Sequence, residues 1–376
     1  MLTHRSGSTF KSIAASLLER IDVRIGGSRA WDIQIHNESF YQRVLRKGSL
    51  GLGESYADGW WDAARLDEFF VRLLQGKLDA TIPNRWAALW RFPESVFLNR
   101  QSRRKAAENS MQHYDRGLPL YQAMLDSRMI YSCAYWKNES TLEKAQEAKL
   151  RLVCEKLELR PKMKVLDIGC GWGGFCRFAA ETYGVDVTGI TVSPQQFEFA
   201  REICKDLPVE IGLMDYRQLA GTYDRIVSIG MFEHVGPRNY RTLMETTQRC
   251  LNREGLFLLQ TIGGNESTEF IDPWIDKYIF PGAVLPSVKQ IGAAIEGLMV
   301  MEDWHGFGPY YDRTLMAWFE NFDRSWPQLR FHYDESFYRI WKYYLLSCAA
   351  TFRVRNNQLW QIVFSNRRPG AYVRSR

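Results

Sequence analysis

The stretch Val165-Leu166-Asp167-Ile168-Gly169-Cys170-Gly171-Trp172-Gly173-Gly174 decides the fold. Val165 to Ile168 form a short apolar strand interrupted by one acid, and the glycines behind it turn the chain out of the extended conformation. Comparable apolar runs recur at 185–190, 209–213, 226–229 and 256–259, with helix-length segments between them. Strands joined by helix-length connections run parallel, because a short turn can only return the chain antiparallel. The expectation is an α/β fold with a doubly wound, mostly parallel sheet and a ligand in the crevice beyond the carboxyl ends of its strands.

Upstream the pattern changes. Phe10, Ile13, Ala14, Leu17, Leu18 and Ile21 follow helical spacing, residues 31–35 alternate as a short strand, and Leu66 to Leu74 read as a second helix. Glycines punctuate the segment GSLGLGESYADGWW, residues 48–61. This reads as a smaller α-rich N-terminal domain, residues 1–91, joined by a basic linker, 92–112, to a catalytic domain, 113–376.

With 376 residues, 45% hydrophobic and 24% charged, the chain has enough apolar material for a full core. No apolar run approaches the roughly 18 residues that span a bilayer, and Ile13 to Leu18 is too short for a secretory signal. A soluble, cytoplasmic protein is expected. Seven cysteines without CxxC spacing argue against a disulfide framework or a zinc site, and no metal is expected. The net charge of +6 is concentrated at Arg100, Arg103, Arg104 and Lys105 and at Arg367, Arg368, Arg374 and Arg376. Such runs suit an anionic partner, nucleic acid or membrane, and equally suit plain solvated surface.

The glycine run favours S-adenosylmethionine over a dinucleotide. Asp167 precedes Gly169, Gly171 and Gly173, and although position 174 is glycine, no helix N-terminus is kept clear for two phosphates. The next strand ends without the usual ribose-binding acid, so Thr191, Ser193 and Gln196 take that place as neutral donors and acceptors. Ser193 reads as readily as the cap of the next helix. Asp215 and Tyr216 follow the third strand, the carboxylate within reach of an exocyclic adenine amine and the ring beside it.

These residues, together with Tyr131-Ser132-Cys133-Ala134-Tyr135-Trp136, Gly230-Met231-Phe232-Glu233-His234-Val235-Gly236 and Glu302-Asp303-Trp304-His305, resemble the cyclopropane-fatty-acid synthases. The resemblance runs through nearly the whole chain. It implies a class I methyltransferase sheet, with Tyr131 and Ser132 also at the cofactor, and methyl transfer to a cis alkene of a phospholipid acyl chain followed by proton loss and ring closure. It further implies a bound bicarbonate as proton acceptor, held by Cys133, Glu233, Gln260, the backbone of Ile262, and Tyr311, and a homodimer. An alkene is a weak nucleophile, so a carbocation-like transition state has to form away from water and near electron-rich rings. For any single aromatic residue, ordinary core packing remains the simpler reading.

Two positions need separate treatment. Gln260 stands where the family usually shows histidine; an amide still donates to an anion but does not relay protons near neutral pH. Cys348 matches a family cysteine given a catalytic role, whereas methyl transfer to an alkene needs no covalent enzyme intermediate, and a small buried hydrophobe is the alternative. The N-terminal helix, the Trp60-Trp61 pair and the basic linker are expected to dock the protein reversibly on the inner face of the cell membrane. The competing functions are a related lipid methyltransferase giving branched or carrier-bound mycolic-type products, and a lipid-binding protein with a dead methyltransferase domain. A nucleic-acid enzyme is disfavoured, since no NPPY-type motif follows the fourth strand.

Overall fold

The computed structural model describes residues 3–77, 117–373 and 375. Two compact units emerge, and neither is continuous in sequence: a helical unit from 1–98, 272–281 and 315–356, and a sheet unit from 99–271, 282–314 and 357–376. The division drawn from sequence order, at 92–112, contains the first boundary, 98/99, whereas 272–281 and 315–356 join the helical unit from within the stretch expected to be catalytic. The linker and its basic cluster fall outside the described residues.

In the helical unit, the helix Thr3–Glu19 buries Ala14 and Leu18 and leaves Ile13 exposed. The expected 31–35 strand contracts to β1, Gln34–Ile35, paired antiparallel with β2, Trp61–Asp62. The glycines of 48–61 do not prevent a helix at Ser49–Ala57. A Cβ on Gly53 would lie 2.3 Å from the Trp274 indole, so glycine there lets helix and ring approach closely.

Of the Trp60-Trp61 pair expected at a lipid surface, Trp61 is taken up by this packing. Trp61 is fully buried, donates its indole N–H to the Leu52 carbonyl at 3.1 Å and meets Tyr56 and Phe69 at 5.1 Å each. Trp60 lies under the Arg43 guanidinium, 3.5 Å from its carbon to the ring centroid. Large aromatic area and a satisfied indole donor put Trp61 at the centre of this unit. The expected second helix spans Leu66–Gln75, and Arg353, from the helix Glu335–Arg353, reaches Asp67 at 2.9 Å. Burial raises the Asp67 carboxyl, but Arg65 and Arg353 outweigh it and hold the group at about 2.

The sheet unit contains β3 (Lys164–Ile168), β4 (Asp186–Thr191), β5 (Val209–Leu213), β6 (Tyr223–Ile229), β7 (Leu251–Gly264), β8 (Val300–Gly306) and β9 (Asn357–Ser365). Their order is β5-β4-β3-β6-β7-β9-β8; β9 runs antiparallel to both neighbours and every other pairing is parallel. The five expected strands are present, on a doubly wound, mostly parallel sheet. Helices cover both faces, which explains the unbroken apolar runs: Val165 faces Phe178 and Val187 on one side, while Leu166 faces Leu243 and Phe257 on the other. The order reverses beside β3, between β4 and β6, and the crevice opened there receives the glycine turn. Of the C-terminal arginines, Arg368 pairs with Glu158 at 3.0 Å and Arg367 donates to the Gly297 carbonyl. Among the described residues no helix is long and apolar enough to cross a membrane.

Candidate active site

The turn after β3 is built from glycines with positive φ, +87° at Gly169, +55° at Gly171 and +86° at Gly173. Side chains at the outer two would collide, since a Cβ on Gly169 comes within 2.9 Å of Met231 and one on Gly173 within 2.9 Å of Ala200. At Gly171 nothing lies within 4 Å, so the turn presents bare backbone to open space, a cradle fitted to a ligand's approach. Gly174 begins the helix Gly174–Tyr183, and a Cβ there would sit 2.3 Å from the Arg128 carbonyl oxygen. The 128–130 segment thus covers the helix N-terminus that a pyrophosphate would need. Asp167 is buried at the base of the turn. Its Oδ2 accepts from the Cys176 thiol at 3.4 Å, its Oδ1 has no partner, and burial pushes the carboxyl up to about 7.

Above the turn lies the segment Tyr131-Ser132-Cys133. Tyr131 meets Tyr121 edge-on at 5.3 Å, Tyr121 meets Trp172 of the glycine turn at 5.4 Å, and Trp172 meets Phe199 at 5.4 Å. The helix Leu142–Lys156 fixes the segment from behind: Gln146 donates to the Ser132 carbonyl at 2.9 Å, and Lys149 donates to Ser132 Oγ at 2.8 Å. Asp126 anchors its start by accepting the Ile130 and Arg128 N–H groups. Thr314 anchors its end, accepting from the Ala134 N–H at 3.1 Å and the Trp136 indole at 2.9 Å.

At the end of β4 three of the expected cofactor residues bond to one another. Thr191 Oγ1 donates to Gln196 Oε1 at 2.8 Å and accepts from the Ser193 N–H, while Ser193 Oγ accepts from the Gln196 N–H as the cap of the helix Pro194–Cys204. Ser193 thus caps that helix. Asp215, expected to reach an adenine amine, accepts the Arg217 N–H at Oδ1 and the Arg217 guanidinium at Oδ2, each at 2.9 Å. Tyr216 is buried with Arg217 stacked over its ring.

The ends of β6 and β7 are arranged differently. Glu233, in the turn Phe232–His234, is buried; its Oε1 accepts the Ile262 N–H at 2.6 Å and its Oε2 is unpartnered. Burial pushes its carboxyl up to about 7 against the pull of that N–H. The Ile262 N–H, expected to orient an anion, here donates to Glu233. Gln260, two residues earlier on β7, accepts from Gln361 Nε2 at 2.9 Å and leaves its own Nε2 buried and unpartnered. Cys133 is buried, its thiol pushed well above the usual range by desolvation. Tyr311 is buried on the helix Pro309–Leu329, one turn before Thr314. Cys348 falls in the helical unit, on Glu335–Arg353, and burial pushes its thiol up to about 12, so it is a neutral thiol at physiological pH.

Residues 101–362 match the family model described as mycolic acid cyclopropane synthetase. The chain belongs to that family. It is 51% identical over 353 residues to the cyclopropane-fatty-acyl-phospholipid synthase of Escherichia coli strain K12, covering 94% of this chain and 92% of the relative. A probable fatty acid methyltransferase of Pseudomonas putida is 35% identical over 69% of this chain and 70% of its own. Among solved structures, the cyclopropane synthase MmaA2 from Mycobacterium tuberculosis superimposes with TM-score 0.65 at 31% identity, covering 69% of this chain and 97% of that one. The mycolic acid cyclopropane synthase CmaA1, complexed with SAH and CTAB, gives 0.64 at 32%, with the same coverage. The fold is thus the class I methyltransferase fold, and the chain is an enzyme of the cyclopropane-synthase kind.

For a member of this family, the residues that sequence reasoning passed over are Gln146, Lys149, Thr314 and Gln361. Lys149 did leave a signal. It falls on the stripe of Leu142, Ala145, Gln146, Leu150 and Val153, which the helix buries, and a lysine inside an apolar stripe marks a buried partner.

Proposed function

We propose that this chain is a cyclopropane-fatty-acyl-phospholipid synthase, which uses S-adenosylmethionine to convert a cis double bond of a phospholipid acyl chain into a cyclopropane ring. The observation that carries the reading is the likeness to the Escherichia coli enzyme along 94% of the chain. When bound, S-adenosylmethionine supplies an electrophilic methyl group and bicarbonate supplies a base for the surplus proton.

The residues at hand fit both. The bare backbone at Gly171 and the Tyr131-Ser132 segment border the crevice suited to the cofactor. Glu233 Oε2 is a buried acceptor and Gln260 Nε2 a buried donor, each lacking a partner. A small anion bearing both a hydroxyl and an oxyanion satisfies the two at once, and the Glu233 carboxylate, by accepting the hydroxyl, makes the remaining oxygens more basic. Cys133 and Tyr311 complete the proposed surroundings. Tyr135 meets Phe307 and Tyr310 edge to face at 5.3 and 5.5 Å, and the last two lie tilted at 6.0 Å, a cluster of the electron-rich rings that a developing carbocation calls for. Peripheral association with the inner face of the cell membrane from the cytoplasm, and dimerisation, belong to the same reading.

The test is incubation with unsaturated phospholipid vesicles and S-adenosylmethionine, followed by mass analysis of the released fatty acids. A gain of about 14 mass units, one CH₂, with loss of the alkene signal is expected. The same gain with an alkene retained would mean a methyl-branched or methylene product instead, and no gain would reject the reading.

A further inference from the structure

Lys149 is a buried ammonium that no step above employs. It is 1% exposed, at the centre of the helix Leu142–Lys156, and its Nζ donates to Ser132 Oγ at 2.8 Å. Burying a cation is costly without partners, and helix propensity alone gives no reason for lysine on this face. Acidic neighbours repay part of that cost. Asp126 and Asp167 both act on it, and despite desolvation Lys149 settles at about 8, protonated at neutral pH.

The direction of the hydrogen bond has a consequence for Ser132. A hydroxyl that accepts from an ammonium turns its own hydrogen away from it, and Gln146 holds the Ser132 carbonyl at 2.9 Å, so the hydroxyl is left to donate on the side away from Lys149. Ser132 lies over the carboxyl end of β6: its Cβ is 4.0 Å from the place a side chain on Gly230 would begin. Next to it Met231 bounds the glycine turn: a Cβ added to Gly169 would come within 2.9 Å of it. The Ser132 hydroxyl therefore stands at the point where the sheet order reverses, polarised as a donor by the cation behind it.

On the reading that this crevice holds S-adenosylmethionine, we infer that Lys149 is a positioning residue that orients and polarises Ser132 toward the carboxylate of the cofactor's amino-acid end. The pair recognises charge: a neutral acceptor in that place gains only an ordinary hydrogen bond, whereas a carboxylate gains the polarised bond and the field of the ammonium.

Calorimetric titration of the full-length protein with S-adenosylhomocysteine and with its decarboxylated analogue, 5′-(3-aminopropylthio)adenosine, tests this. The wild type is expected to prefer the carboxylated ligand by about tenfold or more. Lys149→Met is expected to reduce that preference to within about threefold, with the analogue's own affinity nearly unchanged. Ser132→Ala leaves the buried charge in place, serves if Lys149→Met does not fold, and is expected to lose the same preference. Undiminished preference in either folded variant, or no preference in the wild type, overturns the inference while leaving the cofactor reading intact. Failure of the wild type to bind S-adenosylhomocysteine at all would sink the cofactor reading itself.

Discussion

The carboxyl ends of β4 and β5 and those of β6 and β7 border the same sheet, yet their polar groups are treated in opposite ways. Thr191, Ser193 and Gln196 bond to one another and Asp215 accepts twice from Arg217, with the buried Tyr216 hydroxyl the exception. Across the sheet, Glu233 Oε2 and Gln260 Nε2 are buried without partners. A buried polar atom left unsatisfied costs about 1 to 3 kcal/mol, so it persists in a stable fold when a ligand atom completes it. The first region is mostly satisfied within itself; the second leaves both a buried acceptor and a buried donor open, where chemistry is expected.

The sharpest way to break this contrast is at Glu233. Glu233→Gln keeps the shape and removes the carboxylate, and is expected to lower kcat by about 100-fold or more with an unchanged circular dichroism spectrum. A variant retaining a tenth of wild-type activity would mean that the open oxygen has no part in the reaction.

The same residue links the site to stability. Its carboxyl is raised from 4.5 to about 7 in the folded protein, so between these values the folded state holds a proton that the unfolded state releases. Its contribution is therefore present below about pH 4.5 and is lost as pH rises toward 7. Denaturant titrations should find Glu233→Gln gaining on the wild type through that window, by at most about 1.4 kcal/mol per pH unit. A flat difference would place the carboxyl in a wetter setting than its burial implies.

Milder effects are expected elsewhere. Gln260→His is expected to leave kcat/KM within about tenfold, some 1.4 kcal/mol, because either side chain offers a donor to an anion. On the closed side, Thr191→Val should cost about 1 kcal/mol in chemical denaturation and change the KM for S-adenosylmethionine only a few-fold. Should Thr191→Val cripple catalysis as deeply as the Glu233 variant, the two regions would not differ as argued. Cys348→Ser is expected to leave turnover unaltered in the vesicle assay, as its protonated thiol is no nucleophile.

The parallel half of the sheet was legible because its strands are short, largely apolar runs, the first of them ending in a run of glycines. β9 was not. Asn357–Ser365 follows the helix Glu335–Arg353 and inserts antiparallel between β7 and β8, with Gln361 opposite Gln260, a pairing across a hundred residues that no local pattern encodes. Glu233 could be chosen from its place after an apolar strand, but the orientation of its two oxygens could not, because that depends on the Ile262 N–H of a neighbouring strand. Trp60 and Trp61 look alike in sequence and part company in the fold, since only Trp61 finds a carbonyl for its indole inside the core.

The composition of the helical unit bears on how this gene can be cut. Trp274 packs against Tyr343 at 4.3 Å, Tyr343 against Phe70 at 4.9 Å, and Arg353 is tied to Asp67, so segments far apart in the chain wall in one another's aromatic rings. Expressing residues 113–376 alone would strip away Phe69, Phe70, Tyr56 and Trp61 while retaining the rings they enclose. Such a fragment would carry bare indole and phenol faces into solution, and aggregation, rather than a trimmed catalyst, is the outcome to plan for.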